Sequence, residues 1–286
     1  MEQYFEFRKV RDFGTVMNDS FDFIRQEFKR FGKTILIYVL PFFIFTGILL
    51  VYFQTSMYST ILDGSAADSV LNIYYKMIPS YIVMLLNYTV LTAVIYQYIS
   101  LYRKTNGDFT AEELWPGVLK VGLKMLGVYF ISFVIVIIAS MFLLVPGIYL
   151  GVVFSFFPAA IVFEELSFGQ AMNRCFAVIK DNWWRTFGII FIGGLIVYIF
   201  SMIVSVPLII ATALKTFHAV SNNSAAGPQF LSTGYVIAST VISMFQNLGY
   251  SLVLIFVAVQ YFSLVEMKER PTLQDKIDKL VEETNE

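Results

Sequence analysis

The sequence predicts an all-α integral membrane protein: six transmembrane helices, amphipathic interfacial helices on the cytoplasmic side, three helix-plus-hairpin units, and both termini inside. Three observations carry that expectation. Hydrophobic residues make up 57% of the 286-residue chain and charged ones 14%, against roughly 25% charged in a soluble domain. The apolar residues gather into six stretches near the ~20 residues that a bilayer core demands. Of the 20 lysines and arginines, all but Lys76 and Lys215 fall on one side of those stretches.

In chain order, the first thirty residues are too charged and too interrupted in hydropathy for a cleavable signal. Residues 13–31 place Phe13, Val16, Met17, Phe21, Ile24 and Phe28 at helical spacing, the pattern of a helix lying among lipid headgroups. It feeds a first span at 34–53, and a second follows at 78–102. A weaker interfacial helix starts at Thr110 with Glu113, and Pro116 is expected to break it after one turn. Spans three and four occupy 125–145 and 147–163. A second clear amphipathic helix covers 168–183, opened by a Ser167/Gln170 capping box. Span five, 187–214, leads to an outer loop with His218 and the sequon Asn222-Asn223-Ser224. Span six is 233–265. These segments form a single membrane-embedded domain over 1–265, in units of approximately 1–102, 103–163 and 164–265, and the cytoplasmic tail 266–286 carries a short amphipathic helix.

The basic residues fix the orientation. Seven precede span one, and the rest of the majority lie between spans two and three, between spans four and five, and in the tail. By the positive-inside rule these segments are cytoplasmic.

Two internal matches suggest duplication. Residues 13–30 and 168–185 align without gaps, with Phe13/Phe168, Gly14/Gly169, Met17/Met172, Asn18/Asn173, Phe21/Phe176, Ile24/Ile179 and Arg30/Arg185 identical. Gln97-Tyr98-Ile99-Ser100-Leu101 near the end of span two matches Gln260-Tyr261-Phe262-Ser263-Leu264 near the end of span six. Both pairs fall on the cytoplasmic side, so the repeat is parallel rather than inverted.

Few residues qualify as sites. Gly147, Gly151, Ser155 and Ala159 put a small residue at every fourth position of span four, the spacing of close helix packing in lipid. No Asp, Glu, Lys or Arg lies mid-span, which disfavours an ion-coupled pump. The polar positions are Asn87, Gln97, Gln246, Asn247 and Gln260, read either as helix–helix contacts or as the lining of a polar cavity. Glu164 and Glu165, where span four leaves the membrane, read as partners for nearby Arg or Lys. One histidine and one cysteine exclude a two-imidazole site, an intramolecular disulfide and a cysteine zinc cluster. No catalytic, metal or cofactor site is expected.

The stretch Pro146-Gly147-Ile148-Tyr149-Leu150, then Phe157-Pro158, Glu164, Ala171, Trp183-Trp184 and Phe187-Gly188, resembles the membrane domain attached to some bacterial glycerophosphodiester phosphodiesterases, which also has stand-alone relatives. The resemblance, concentrated in about 146–195, implies a six-helix-type bundle in the bacterial cytoplasmic membrane. The catalytic barrel of such fusions has no counterpart in these residues, so neither a hydrolase activity nor a catalytic residue carries over. The expected role is a non-enzymatic scaffold or accessory subunit in lipid or envelope homeostasis. Its partners are the lipid bilayer and either another membrane protein or a second copy as a homodimer; the net charge of −1 gives no reason to expect nucleic acid. The rival is a permease or lipid-handling channel with a polar cavity between spans two and six.

Overall fold

Asp12 starts the first helix. Its carboxylate accepts the Thr15 amide at 2.7 Å, which satisfies one of the orphan donors of a helix start. In the computed structural model, which describes residues 4–62, 68–142, 144–221 and 232–270, the regular structure is helical. Helix α1 (Phe13–Gln26) gives way at Glu27 to α2 (Phe28–Tyr38), and α3 (Leu40–Leu62) opens with Pro41 in its first turn. Next come α4 (Asp68–Lys104), α5 (Leu114–Phe142), α6 (Leu144–Phe154) and the short α7 (Phe157–Phe163). The order closes with α8 (Phe168–Ile179), α9 (Trp183–Ser221) and α10 (Thr233–Glu269).

Six stretches are long and apolar enough to cross a membrane: Leu40–Tyr58, Tyr75–Lys104, Leu114–Met141, Leu144–Phe163, Trp183–His218 and Thr233–Glu269. The chain is a multi-pass membrane protein. The helices match the expected spans in number and order but not at every end. The first starts at Leu40, because Thr34 and its neighbours belong to α2. Pro116 does not break a helix: it sits in the first turn of α5, where its missing N–H costs nothing, and α5 runs on unbroken. His218 lies exposed on α9 rather than in a loop. The tail helix beyond 270 and the sequon lie outside the described residues.

Span four is not one straight helix. Pro158 has no N–H to give the Phe154 carbonyl, so the ladder is interrupted. The Ser155 amide is shared between Gly151 at 3.1 Å and Val152 at 3.3 Å, and α7 restarts with Ala160 bonded to Phe156 at 3.0 Å.

The chain forms two compact units, each discontinuous in sequence and cutting across the sequential units expected above. The first takes in Met1–Thr34, Thr92–Gly194 and Leu252–Glu286, the second Ile35–Leu91 and Leu195–Ser251. In the first unit, α10 is buried on all sides from Leu254 to Glu266 and α4 over most of Leu91–Ser100, as apolar helices that pack all round must be. Phe7 is the hinge of an aromatic cluster, with ring centroids 5.0 Å from Phe23 and 5.5 Å from Phe262. Helix α1 turns Val16, Ser20 and Phe23 into this core, and Ser20 donates to the Val16 carbonyl at 2.6 Å. In the second unit, the Cβ position of Gly249 lies 3.4 Å from Phe200 and Val197, which lets α9 and α10 approach closely there.

Candidate functional site: interior amides and a lysine-lined cavity

Two of the expected polar positions use side-chain partners on another helix of the second unit. Asn87 on α4 accepts a hydrogen bond from Thr46 of α3 at 2.7 Å. Gln246 on α10 donates to Ser205 and to the Ser201 carbonyl of α9, at 2.8 and 3.2 Å. Asn247 turns back on its own helix and donates to the Ser243 carbonyl at 2.9 Å. None of these bonds joins Asn87 to Gln246 or Asn247. In the first unit, buried Gln260 donates to Thr186 at 3.3 Å.

The small-residue ladder divides. A Cβ on Gly147 would lie 1.9 Å from the Ser140 hydroxyl and 3.1 Å from its Cα, so α5 and α6 cross closely there. Gly151 differs from its expected packing role: nothing stands within 4 Å of its Cβ position. Ser155 falls in the turn before α7, its hydroxyl on the Val152 carbonyl at 2.7 Å, and Ala159 is fully buried in α7. The kink at Pro158 turns the last two residues away from the line of the first two.

The charged structure gathers at one end of the helices. Arg174 of α8 grips Glu164 with two bonds, 2.8 and 2.9 Å, and also binds Glu269 at the end of α10. Tyr261 donates to the same Glu164 at 2.6 Å. These carboxylates hold the guanidinium well above its ordinary pKa, Glu269 more than Glu164. Arg11 is buried, pairs with Asp19 at 2.7 Å and donates to the Phe7 carbonyl at 2.7 Å. Its backbone is fastened to Ser263, whose hydroxyl accepts the Arg11 amide at 2.9 Å and donates to the Arg11 carbonyl at 3.2 Å. Arg185 donates to the same carbonyl. Arg30 donates to the carbonyls of Gly107 and Phe109 and stacks over the Phe109 ring at 4.1 Å. Cys175 is buried beside this network. Burial, with Glu164 adding to it, pushes its thiol up to about 12, so it is no nucleophile near neutrality.

The remaining feature is a cavity of about 270 Å³ in the first unit, between the end of α4, the start of α5 and the end of α7. Gln97, Ser100, Lys104, Lys120, Lys124 and Glu165 supply its polar lining. Glu165 holds a left-handed φ of +54°, uncommon for a residue with a side chain, and pairs with Lys104 at 3.0 Å. The Lys104 hydrogen bond, then its charge, lowers the Glu165 pKa, with Lys120 and Lys124 contributing. Gly117 leaves room for the Gln97 side chain as it stands: a Cβ there would lie 2.1 Å from the amide nitrogen, so the glutamine would have to move. Among these, the sequence points to Gln97 as a polar position and to Glu165 as a partner for a basic residue, but not to the lysines as a site. The signal for the others was present, since Lys120 and Lys124 are one turn apart and face the same way on α5.

The profile of a family described as a domain of unknown function, DUF7847, matches residues 109–264, more than half of the chain. The chain belongs to that family. No curated protein and no solved structure matches it. Within the DUF7847 stretch lie Gly117, Lys120, Lys124, Glu164, Glu165 and Arg174, while Gln97, Ser100 and Lys104 precede it.

Proposed function

We propose that the protein is a non-enzymatic scaffold or accessory subunit of a bacterial cytoplasmic membrane, with both termini inside and a packed interior. The observation that carries this reading is the bonding of its interior amides. Asn87, Gln246, Asn247 and Gln260 each bond to a protein group at 2.7–3.3 Å. An unpaired amide in hydrocarbon costs several kcal/mol. A neighbouring helix takes up Asn87, Gln246 and the Gln260 nitrogen, and Asn247 bonds to its own helix, while the buried Gln260 Oε1 has no partner among the described residues. A permease would bring Asn87 together with Gln246 and Asn247 around solute. Flux in reconstituted vesicles tests the point. No solute or lipid should cross faster than in empty vesicles, whereas flux that Asn247→Leu abolishes in a folded protein overturns the reading in favour of transport.

Two finer readings accompany it. The orientation rests on the basic residues. Asp108 and His218 are both exposed, so Asp108→Cys should label only after the membrane is opened and His218→Cys from outside, against a silent Cys175. The reverse pattern overturns the topology. The repeat is supported by matching helix starts. Helices α1 and α2 begin at Phe13 and Phe28, α8 and α9 at Phe168 and Trp183, so both pairs share one offset. The amphipathic reading of α1 is supported by its two faces: Val16 and Phe23 are buried, while Asn18, Asp22 and Arg25 are exposed.

A further inference from the structure

The cavity between α4, α5 and α7 is lined largely by polar and charged side chains. Ser100 is only 6% exposed and lines the space, and its hydroxyl makes no hydrogen bond to any described residue. Gln97 likewise lines it without a hydrogen bond to a described residue, and Gly117 makes room for its amide. Three lysines converge on the same space and one carboxylate answers them. Lys104 bonds Glu165 at 3.0 Å, and with Lys120 and Lys124 acting on that same carboxylate three ammonium groups share one negative charge, so the cavity keeps a positive excess. A hydroxyl, an amide and two ammonium groups around one space are hydrogen-bond donors in want of a multivalent oxygen anion.

We infer that this cavity binds a phosphate-bearing anion, with Lys120 and Lys124 meeting its charge and Ser100 and Gln97 donating to its oxygens. A phospholipid headgroup and a free phosphate share this chemistry. The exposed Leu119 and Leu123, beside the lysines on α5 and 54% and 79% exposed, offer acyl chains a place to lie and favour the lipid. The inference rests on the proposed reading in that the end of α4 faces the inner membrane surface. Labelling at Asp108→Cys tests that placement on its own, so the two fail separately.

The test uses the full chain in nanodiscs of phosphatidylcholine, with and without phosphatidylglycerol, or with inorganic phosphate added to the buffer. Retained lipid is counted by native mass spectrometry, and the melting midpoint reports stabilisation. Lys120→Gln/Lys124→Gln should weaken phosphatidylglycerol retention about tenfold, and Ser100→Ala, which changes no charge, should weaken it measurably. Lys29→Gln/Lys33→Gln removes the same charge from exposed α2 positions and should leave retention within about twofold of the parent. Stabilisation by inorganic phosphate in phosphatidylcholine alone, lost in the cavity variants, would assign the site to a free phosphate and keep the proposal. Equal loss in the cavity and α2 doubles, with Ser100→Ala silent, would reduce the effect to surface charge and overturn it.

Discussion

Near the C-terminal end of α10, Ser263 exchanges two hydrogen bonds with the Arg11 backbone and Gln260 donates to Thr186. At the matching place on α4, Ser100 and Gln97 make no bond to a described residue and line a cavity with three lysines. The tyrosine between them behaves alike in both: Tyr98 donates to Glu27 and Tyr261 to Glu164, each at 2.6 Å. One five-residue pattern therefore has a constant part that ties a helix to a carboxylate and a variable part that follows its neighbours. Where a polypeptide segment fills the groove, serine and glutamine become structural. Where lysines line it instead, the same groups are left facing open space.

The comparison can be strained from the α10 side first. Arg174→Ala removes the guanidinium that joins Glu164 to Glu269 and leaves the Glu164–Tyr261 pair facing an uncompensated charge. The loss should be about 2–4 kcal/mol in chemical denaturation, and Arg174→Lys should recover only part of it, since an ammonium cannot make two parallel bonds. Next is Gly147→Leu, where the crossing of α5 and α6 has no room for a side chain. It should cost about 1–3 kcal/mol, while Gly151→Leu should leave the melting midpoint unchanged. Tyr98→Phe and Tyr261→Phe should each cost about 1–2 kcal/mol and by similar amounts. A large inequality would break the constant part of the pattern. The smallest effect belongs to Asp12. Hydrogen bonds from the Thr15 side chain and then its backbone lower its pKa. The cap is thus fully formed above the carboxylate's ordinary value near pH 4 and is lost as pH falls through its lower folded value. Asp12→Asn should flatten that acid limb of stability, measured by circular dichroism between neutral and acidic pH.

Much of this fold was legible in the sequence because a bilayer imposes length and polarity so strictly. Six apolar stretches yielded six helical segments long enough to cross a membrane, and the Ser167/Gln170 cap formed, with Gln170 accepting the Ser167 amide at 3.1 Å. Glu164 and Glu165 found Arg174 and Lys104, as carboxylates near basic residues should. The failures share a cause. Pro116 was read as a breaker and Pro158 passed over, because a proline's effect depends on how many residues of helix precede it. Gly147 and Gly151 share α6, yet only Gly147 meets α5, because residue spacing shows which positions share a face but not how far along it a neighbour reaches. The bond from Ser263 to Arg11 spans most of the chain, and no local pattern announces it. Lys120 and Lys124 were counted only as charges that set orientation, although their spacing also places them on one face of α5 beside Gly117.

The difference between the two copies is tested most directly by the paired truncations Ser263→Ala and Ser100→Ala, each unfolded by denaturant in nanodiscs of phosphatidylcholine. Ser263→Ala leaves the buried Arg11 amide without its acceptor and should cost about 1–3 kcal/mol. Ser100→Ala removes a hydroxyl with no partner among the described residues and should stay within about 0.5 kcal/mol of the parent. Equal losses at the two positions would mean that Ser100 is as structural as Ser263, and would contradict the division of the pattern into a filled copy and an open one.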